Sequence, residues 1–273
     1  MFSGRGATYE FSIDVSLHAA LQRLAQQHDS TLFMVMHTAF ALLLGRLSTA
    51  RDITVGTATA GRDHAALGDL IGMFVNTLPV RTEIDSDLTF AELLHQVRAR
   101  NIEALTNADV PFERLVELLA PTRSNAHHPL FQVVFNFHNF TYPTLELPEL
   151  TATALDPAVP LAKFDLELTV LPHEQDRVPL GMSAAFTYAT DLFDETTVAG
   201  FARRLVTILT AVTRSVDRPV GDIDLLDPAE RAGVLHDWNT NRRPLSPAPV
   251  LEAYRRAVQR YPDAPAVADP TVE

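Results

Sequence analysis

The 273-residue sequence contains no cysteine. Disulfides, zinc–thiolate sites, iron–sulfur ligation and cysteine nucleophiles are therefore excluded, and a reducing, cytoplasmic setting fits. Lysine is nearly absent: Lys163 stands alone beside 21 arginines and is the sole candidate for a Schiff base or a phosphate-loop lysine. Basic residues are outnumbered, 22 against 34 acidic, and the formal net charge of −12 argues against nucleic acid or an anionic membrane as main partner. Long apolar runs are missing. The most apolar stretch, residues 32–44, is interrupted by His37 and Thr38 and closed by Arg46. It falls short of the about 20 residues a span requires and reads as a buried helix. Residues 1–7 lack the apolar segment of a signal peptide. Glycine and proline, 11 and 18, are too few for a low-complexity chain.

Self-contained catalytic motifs are missing too. No H-E-x-x-H, G-x-S-x-G or Walker-type loop occurs, and Gly56, Gly61 and Gly68 are too widely spaced for a dinucleotide loop. No histidine pair stands with carboxylates at metal-ligand spacing, so no metal is expected. His127 and His128 are adjacent, but Pro129 and an alternating segment follow, which makes them a strand-entry loop.

Periodicity supplies the elements. Residues 8–13 are extended. Asp14 or Ser16 caps a helix with Leu17, Leu21, Leu24 and Ala25 on one stripe, and Ser30 or Thr31 caps the next. Residues 53–57 form a β-branched strand, and residues 57–62 are either a shaped loop or an ordinary connection. Thr89 opens a helix, and Pro111 takes the first position of another. Three segments then alternate strictly: Phe131, Val133, Phe135 and Phe137; Phe164, Leu166, Leu168 and Val170; Met182, Ala184 and Phe186. Such alternation calls for antiparallel neighbours with one covered face. A long helix runs from Asp194, and Asp227 to Glu230 match a capping box with Pro228 at the first helical position. Trp238, the only tryptophan, is expected to pack against the domain behind that capped helix. Residues 242–249 read as a linker, 250–259 as a short helix and 264–267 as a strand beginning as the chain stops. The expectation is an α/β (α+β) two-layer sandwich with a mixed, largely antiparallel sheet and helices on one face. The abrupt ends suggest a piece of a longer protein.

Three segments resemble the last three core motifs of nonribosomal peptide synthetase condensation domains, in order and in spacing. Residues 71–81, IGMFVNTLPVR, resemble G-x-F-V-N-T-x-x-x-R; residues 107–113, NADVPFE, resemble H-Q-D-x-P-F-E; residues 123–131, RSNAHHPLF, resemble R-D-x-S-R-x-P-L-F. Residues 31–36, 55–62 (VGTATAGR), 163–168 (KFDLEL) and 226–239 are further landmarks. Asn107, Ala108, Ser124 and Ala126 depart from the pattern. The family's H-H-x-x-x-D-G motif is absent, and His127-His128 does not supply it, because neither Asp nor Gly stands where the motif requires. Residues 251–267 are similar to the opening of an adenylation domain.

The resemblance implies the C-terminal, chloramphenicol-acetyltransferase-like lobe over residues 1–226, a linker over 227–249 and the beginning of an adenylation domain over 250–273. It implies an enzyme that forms amide bonds between thioesters carried on the phosphopantetheine arms of carrier proteins, the arms meeting in a tunnel. This lobe would supply one wall through Thr57, Gly61, Arg62, Gly72, Phe74, Val75, Asn76 and Thr77, with no catalytic residue and no metal of its own. Implied partners are the N-terminal lobe, donor and acceptor carrier proteins, and the downstream adenylation domain. The alternative is a non-catalytic platform for carrier proteins or tailoring enzymes. Within the lobe, Phe74 and Val75 are expected to pack as core, Asn76 to bond backbone, Arg62 to pair with a carboxylate, Phe112 and Leu130 to be core, and Glu113 to serve as a helix-start charge.

Overall fold

The structure is a computed structural model; it describes residues 3–62, 65–121, 128–138, 161–240 and 249–265. Residues 123–127, 241–248 and the second half of the expected terminal strand, 266–267, fall outside the described residues, and its first half, Ala264 and Pro265, forms no strand. The chain divides into two compact units, Met1–Leu225 and Leu226–Glu273.

The first unit holds strands β1 (Gly6–Ile13), β2 (Asp52–Thr59), β3 (Asn76–Glu83), β4 (Val133–Phe137), β5 (Leu166–Gln175) and β6 (Val178–Ala189). Its helices are α1 (Val15–Gln27), α2 (Leu32–Ser48), α3 (Phe90–Thr106), α4 (Phe112–Leu119) and α5 (Glu195–Arg214). The described strands form one sheet in the order β1-β6-β5-β4-β2-β3. Pairs β1–β6, β5–β6 and β2–β3 are antiparallel, whereas β2–β4 and β4–β5 are parallel. The sheet is therefore mixed with an antiparallel majority. The β5–β6 hairpin turns on Asp176 and Arg177, at φ 52° and 66°. Positive φ at both central residues marks the tight turn whose twist matches the flanking strands.

Helices α1, α2, α3 and α5 start where the residue before them takes up an orphan N–H. Asp14 accepts from Leu17 N at 2.9 Å, Thr31 from Met34 N at 3.2 Å and Asp194 from Thr197 N at 2.7 Å, while Thr89 and Glu92 form a capping box. The Ser16 hydroxyl, donating to Asp14 Oδ1 at 2.6 Å, and the cap bond from Leu17 hold Asp14 below its ordinary pKa, and the cap bonds do the same for Asp194 and Glu92. Pro111 precedes α4 instead of opening it. Strand alternation directs Phe135, Leu166, Leu168, Val170, Ala184 and Phe186 into one core with α1, α2, α3 and α5. The opposite face carries Glu10, Ser12, Glu167, Thr169 and Ser183. Helix α2 is buried over most of its length, and no single helix among the described residues is long and apolar enough to cross a membrane.

His37 lies in this core at 0% exposure, beside Phe33 (5.8 Å) and Phe135 (6.1 Å), whose own rings are 5.3 Å apart. Asn101 Nδ2 lies 3.3 Å from its Nδ1 and also donates to the Val97 carbonyl at 2.8 Å. Burial lowers the imidazole pKa from 6.5 to about 4. The folded pKa is thus below the unfolded one, so the unfolded chain binds the proton more tightly. His37's contribution is complete above pH 6.5 and is lost as pH falls from there toward 4.

The second unit contains α6 (Pro228–Leu235) and α7 (Val250–Arg260). The capping box forms, with Glu230 N donating to Asp227 Oδ1 at 2.7 Å. Neither helix buries a residue. Trp238 is 76% exposed, so the expected burial of this side chain is not met. The cap is satisfied by α6's own residues and needs no tertiary support.

Two outcomes follow. Between pH 7 and pH 4 the wild type should lose about 3 kcal/mol more stability than His37→Phe, read from urea midpoints at each pH; parallel acid limbs would refute the buried neutral histidine. Trp238→Ala should change stability by no more than about 0.5 kcal/mol, and the wild type's tryptophan emission should be that of a water-exposed indole.

Candidate functional site

The first two of the three motif segments, and Pro129–Phe131 of the third, converge where β2 ends and β3 begins. Asn76, the first residue of β3, joins two of them. Its Nδ2 donates to the carbonyls of Ala108 and Val110, both at 2.8 Å. Its Oδ1 accepts from Thr77 N at 2.9 Å and from Phe112 N at 3.2 Å. Both donor hydrogens and both lone pairs of the amide are used. Helix α4 explains the arrangement. Pro111 stands at its N-cap and has no side-chain oxygen to offer, so Asn76 caps the helix from a strand more than thirty residues away in sequence. The expectation that Asn76 bonds backbone is met, and its target is the 107–113 segment.

The connection from β2 to β3 is a shaped loop. Gly61 adopts φ +63°, and a Cβ there would stand 2.0 Å from the Phe74 carbonyl oxygen. Only glycine fits that conformation in that space. Next to it, the Arg62 guanidinium donates to the carbonyls of Leu67, Leu70 (3.0 Å) and Gly72 (3.3 Å) and lies 4.4 Å over the Phe74 ring. Among the described residues Arg62 is thus engaged by its own loop, not by the carboxylate expected for it. A planar guanidinium with five donors suits a ring of carbonyls; a lysine would not. With its carbonyls drawn inward, the loop turns apolar side chains outward. Ile71, Met73 and Val75 are 105%, 88% and 53% exposed. Phe74 is half-buried beneath Arg62, so neither it nor Val75 belongs to the core as expected.

The third segment closes the site from behind. Phe131 is buried, and its ring occupies the space a Cβ on Gly56 would need, 2.3 Å away. It sits among Phe112 (5.7 Å), His128 (4.4 Å) and Phe164 (5.7 Å). Burial lowers the His128 pKa, keeping that ring neutral near pH 7. Thr57 is buried, its hydroxyl donating to the Phe135 carbonyl at 2.8 Å. Phe112 and Leu130 are half-buried rather than core, and Glu113 is exposed in the first turn of α4. Sequence reasoning missed the Gly56–Phe131 contact and the Arg62 ring; the glycines were the only available signal.

Among the described residues no group of three or more His, Asp or Glu could hold a metal. Asn76, Arg62 and Thr57 are engaged by backbone, whereas His128 Nδ1 is buried without a described partner. Asn76→Ala would leave two carbonyls and a helix N–H without their partner. It should lower unfolding free energy by about 2–3 kcal/mol, measured by urea denaturation, and Asn76→Asp, which cannot donate, should not restore it.

A family model described as "Condensation domain" matches residues 2–235. A dimodular nonribosomal peptide synthase of Bacillus subtilis is 40% identical over 263 residues, 96% of this chain but 11% of that protein. The isonitrile lipopeptide synthase of Mycobacterium tuberculosis is 38% identical over 268 residues, again 96% of this chain and 11% of the relative. The chain therefore spans about a tenth of these curated relatives. Among solved structures, the X-domain from teicoplanin biosynthesis superposes with TM-score 0.73 at 31% identity, covering 83% of this chain and 51% of that one; the X-domain has also been solved in complex with OxyB. A four-domain nonribosomal peptide synthetase bound to AMP and glycine gives TM-score 0.74 at 24% identity over 85% of this chain and 18% of that one, which bears on the fold alone. The motif triad, the lock that Asn76 makes between its members and the family match from residue 2 to residue 235 agree, and the chain belongs to the condensation domain family.

Proposed function

We propose that this chain is the C-terminal lobe of a condensation domain that joins two carrier-bound thioesters through an amide bond. The observation that carries the reading is the Arg62-centred loop, whose apolar side chains face outward between two family motifs. Such a surface suits one wall of a passage for the alkyl and amide chain of a phosphopantetheine arm. Gly61 and Gly72 let the loop close, Arg62 and Phe74 hold it, Val75 presents an apolar surface, and Asn76, Thr77 and Thr57 fix it to the sheet. The acceptor amine attacks the thioester carbonyl and the carrier thiol leaves. No residue of this lobe serves as base, because the H-H-x-x-x-D-G motif is not in this sequence. The lobe's part is to position, and alignment of two reactants can supply up to ~7–11 kcal/mol of barrier reduction. Its partners would be the N-terminal lobe and the two carrier proteins. Residues 227–249 would lead as a linker into an adenylation domain beginning near residue 250.

A second reading, a non-catalytic platform for carrier proteins or tailoring enzymes, is favoured by the 31% identity to an X-domain solved with OxyB. Peptide formation separates the two. The purified 273-residue chain should form no amide between loaded carrier proteins. In the intact synthetase, Arg62→Leu should cut product formation by at least about tenfold while adenylation of the amino acid continues. A full-length protein that loads its carriers yet forms no peptide would favour the platform.

A further inference from the structure

We propose that the open half of β3's outer edge, with α3 as the facing wall, takes up an extended peptide segment as a seventh strand. Strand β3 ends the sheet, and among the described residues its only strand partner is β2. The phase of that ladder follows from one bond. Ile84 N donates to the Arg51 carbonyl at 2.6 Å, and the register pairs Glu83 with Asp52, Arg81 with Thr54 and Pro79 with Gly56. Residues 76, 78, 80, 82 and 84 therefore bond toward β2, and residues 77, 79, 81 and 83 present their backbone groups outward.

The outward edge has two unlike halves. Thr77 N–H is already taken by Asn76 Oδ1, and Pro79 has no N–H, which closes the first half to strand addition. In the second half the N–H groups of Arg81 and Glu83 and the carbonyls of Pro79, Arg81 and Glu83 have no described partner. A groove of about 690 Å³ lies beside the same stretch, bounded by Pro79 through Glu83 on the strand and by Ala99, Arg100, Glu103 and Ala104 on α3. The open donors and the open space coincide.

The occupant's chemistry follows from the walls. A row of alternating outward N–H and C=O groups recognises extended backbone, and a groove between an edge strand and a helix is a recurrent seat for such a segment. The flanking charges are already paired: Arg81 reaches Asp52 at 2.7 and 2.8 Å, and Arg100 reaches Glu103 at 3.1 Å. A charged ligand gains little there. Ala99 and Ala104 are the small residues on the helix side of the groove. The fitting partner is a short, largely uncharged extended segment of another polypeptide, its central residue opposite Arg81.

The test uses the full chain and a fluorescein-labelled, end-blocked hexapeptide of alternating threonine and valine flanked by lysines. Saturable binding is expected, with exchange of the Arg81 and Glu83 amides slowed at least about tenfold at saturation. Arg81→Pro removes the outward N–H without touching the β2 ladder and should weaken binding at least about tenfold, whereas Arg81→Ala, which keeps that N–H, should bind as the wild type does. Should Arg81→Pro fail to fold, Ala99→Trp, which fills the groove from the helix side, should give the same loss. Absence of saturable binding, binding indifferent to Arg81→Pro and to Ala99→Trp, or a concentration-dependent dimer that Arg81→Pro abolishes would each overturn the proposal, the last by making the occupant a second copy of this chain.

Discussion

One side-chain amide holds the candidate site together. Asn76 joins the start of β3 to the 107–113 segment and caps α4 in place of the proline that cannot. Its four bonds reach three backbone stretches, so its loss would loosen the strand, the turn and the helix together. Buried polar groups that are fully satisfied fix geometry more sharply than apolar packing, because each bond has a direction. The loop that precedes Asn76 inherits its position from it. Gly61 and Arg62 settle the loop's internal shape, but only a fixed β3 determines where Met73 and Val75 point.

The site is built almost wholly from groups that are already satisfied. Arg62 is surrounded by carbonyls, Thr57 is bonded to β4, and His128 is held neutral among phenylalanines. The exception is His128 Nδ1, which is buried among those rings without a described partner. The region offers a fixed apolar outline.

Strand alternation and helix caps were legible in the sequence because both are local. Phe131 to Phe137 and Phe164 to Val170 announce their faces without knowing their partners, and Asp194 caps α5 with atoms three residues away. Strand β3 was not legible as a strand. Pro79 lies in its middle, and a proline there reads as a break until the sheet order places it at an edge. The partners of Arg62 were illegible for another reason: backbone carbonyls carry no residue identity, so nothing in residues 67–72 marks them as acceptors. Trp238 illustrates the opposite error. A complete cap at Asp227 signals a helix start, and carries no information about whether the helix is covered.

The sheet order also constrains how the polypeptide can be made. Strand β1, at residues 6–13, has β6, at residues 178–189, as its only strand neighbour among those described. A ribosome adding about 5–20 residues per second therefore releases the first strand on the order of ten seconds before its mate exists. Over that interval Tyr9, Phe11 and Ile13 lack the strand they pair with, and α1 and α2 lack α5, which covers them in the finished core. Closure between β1 and β6 must be a late event in biogenesis. Until β6 is made, β1 waits without its partner, and a message truncated anywhere before β6 yields a product that cannot complete this sheet.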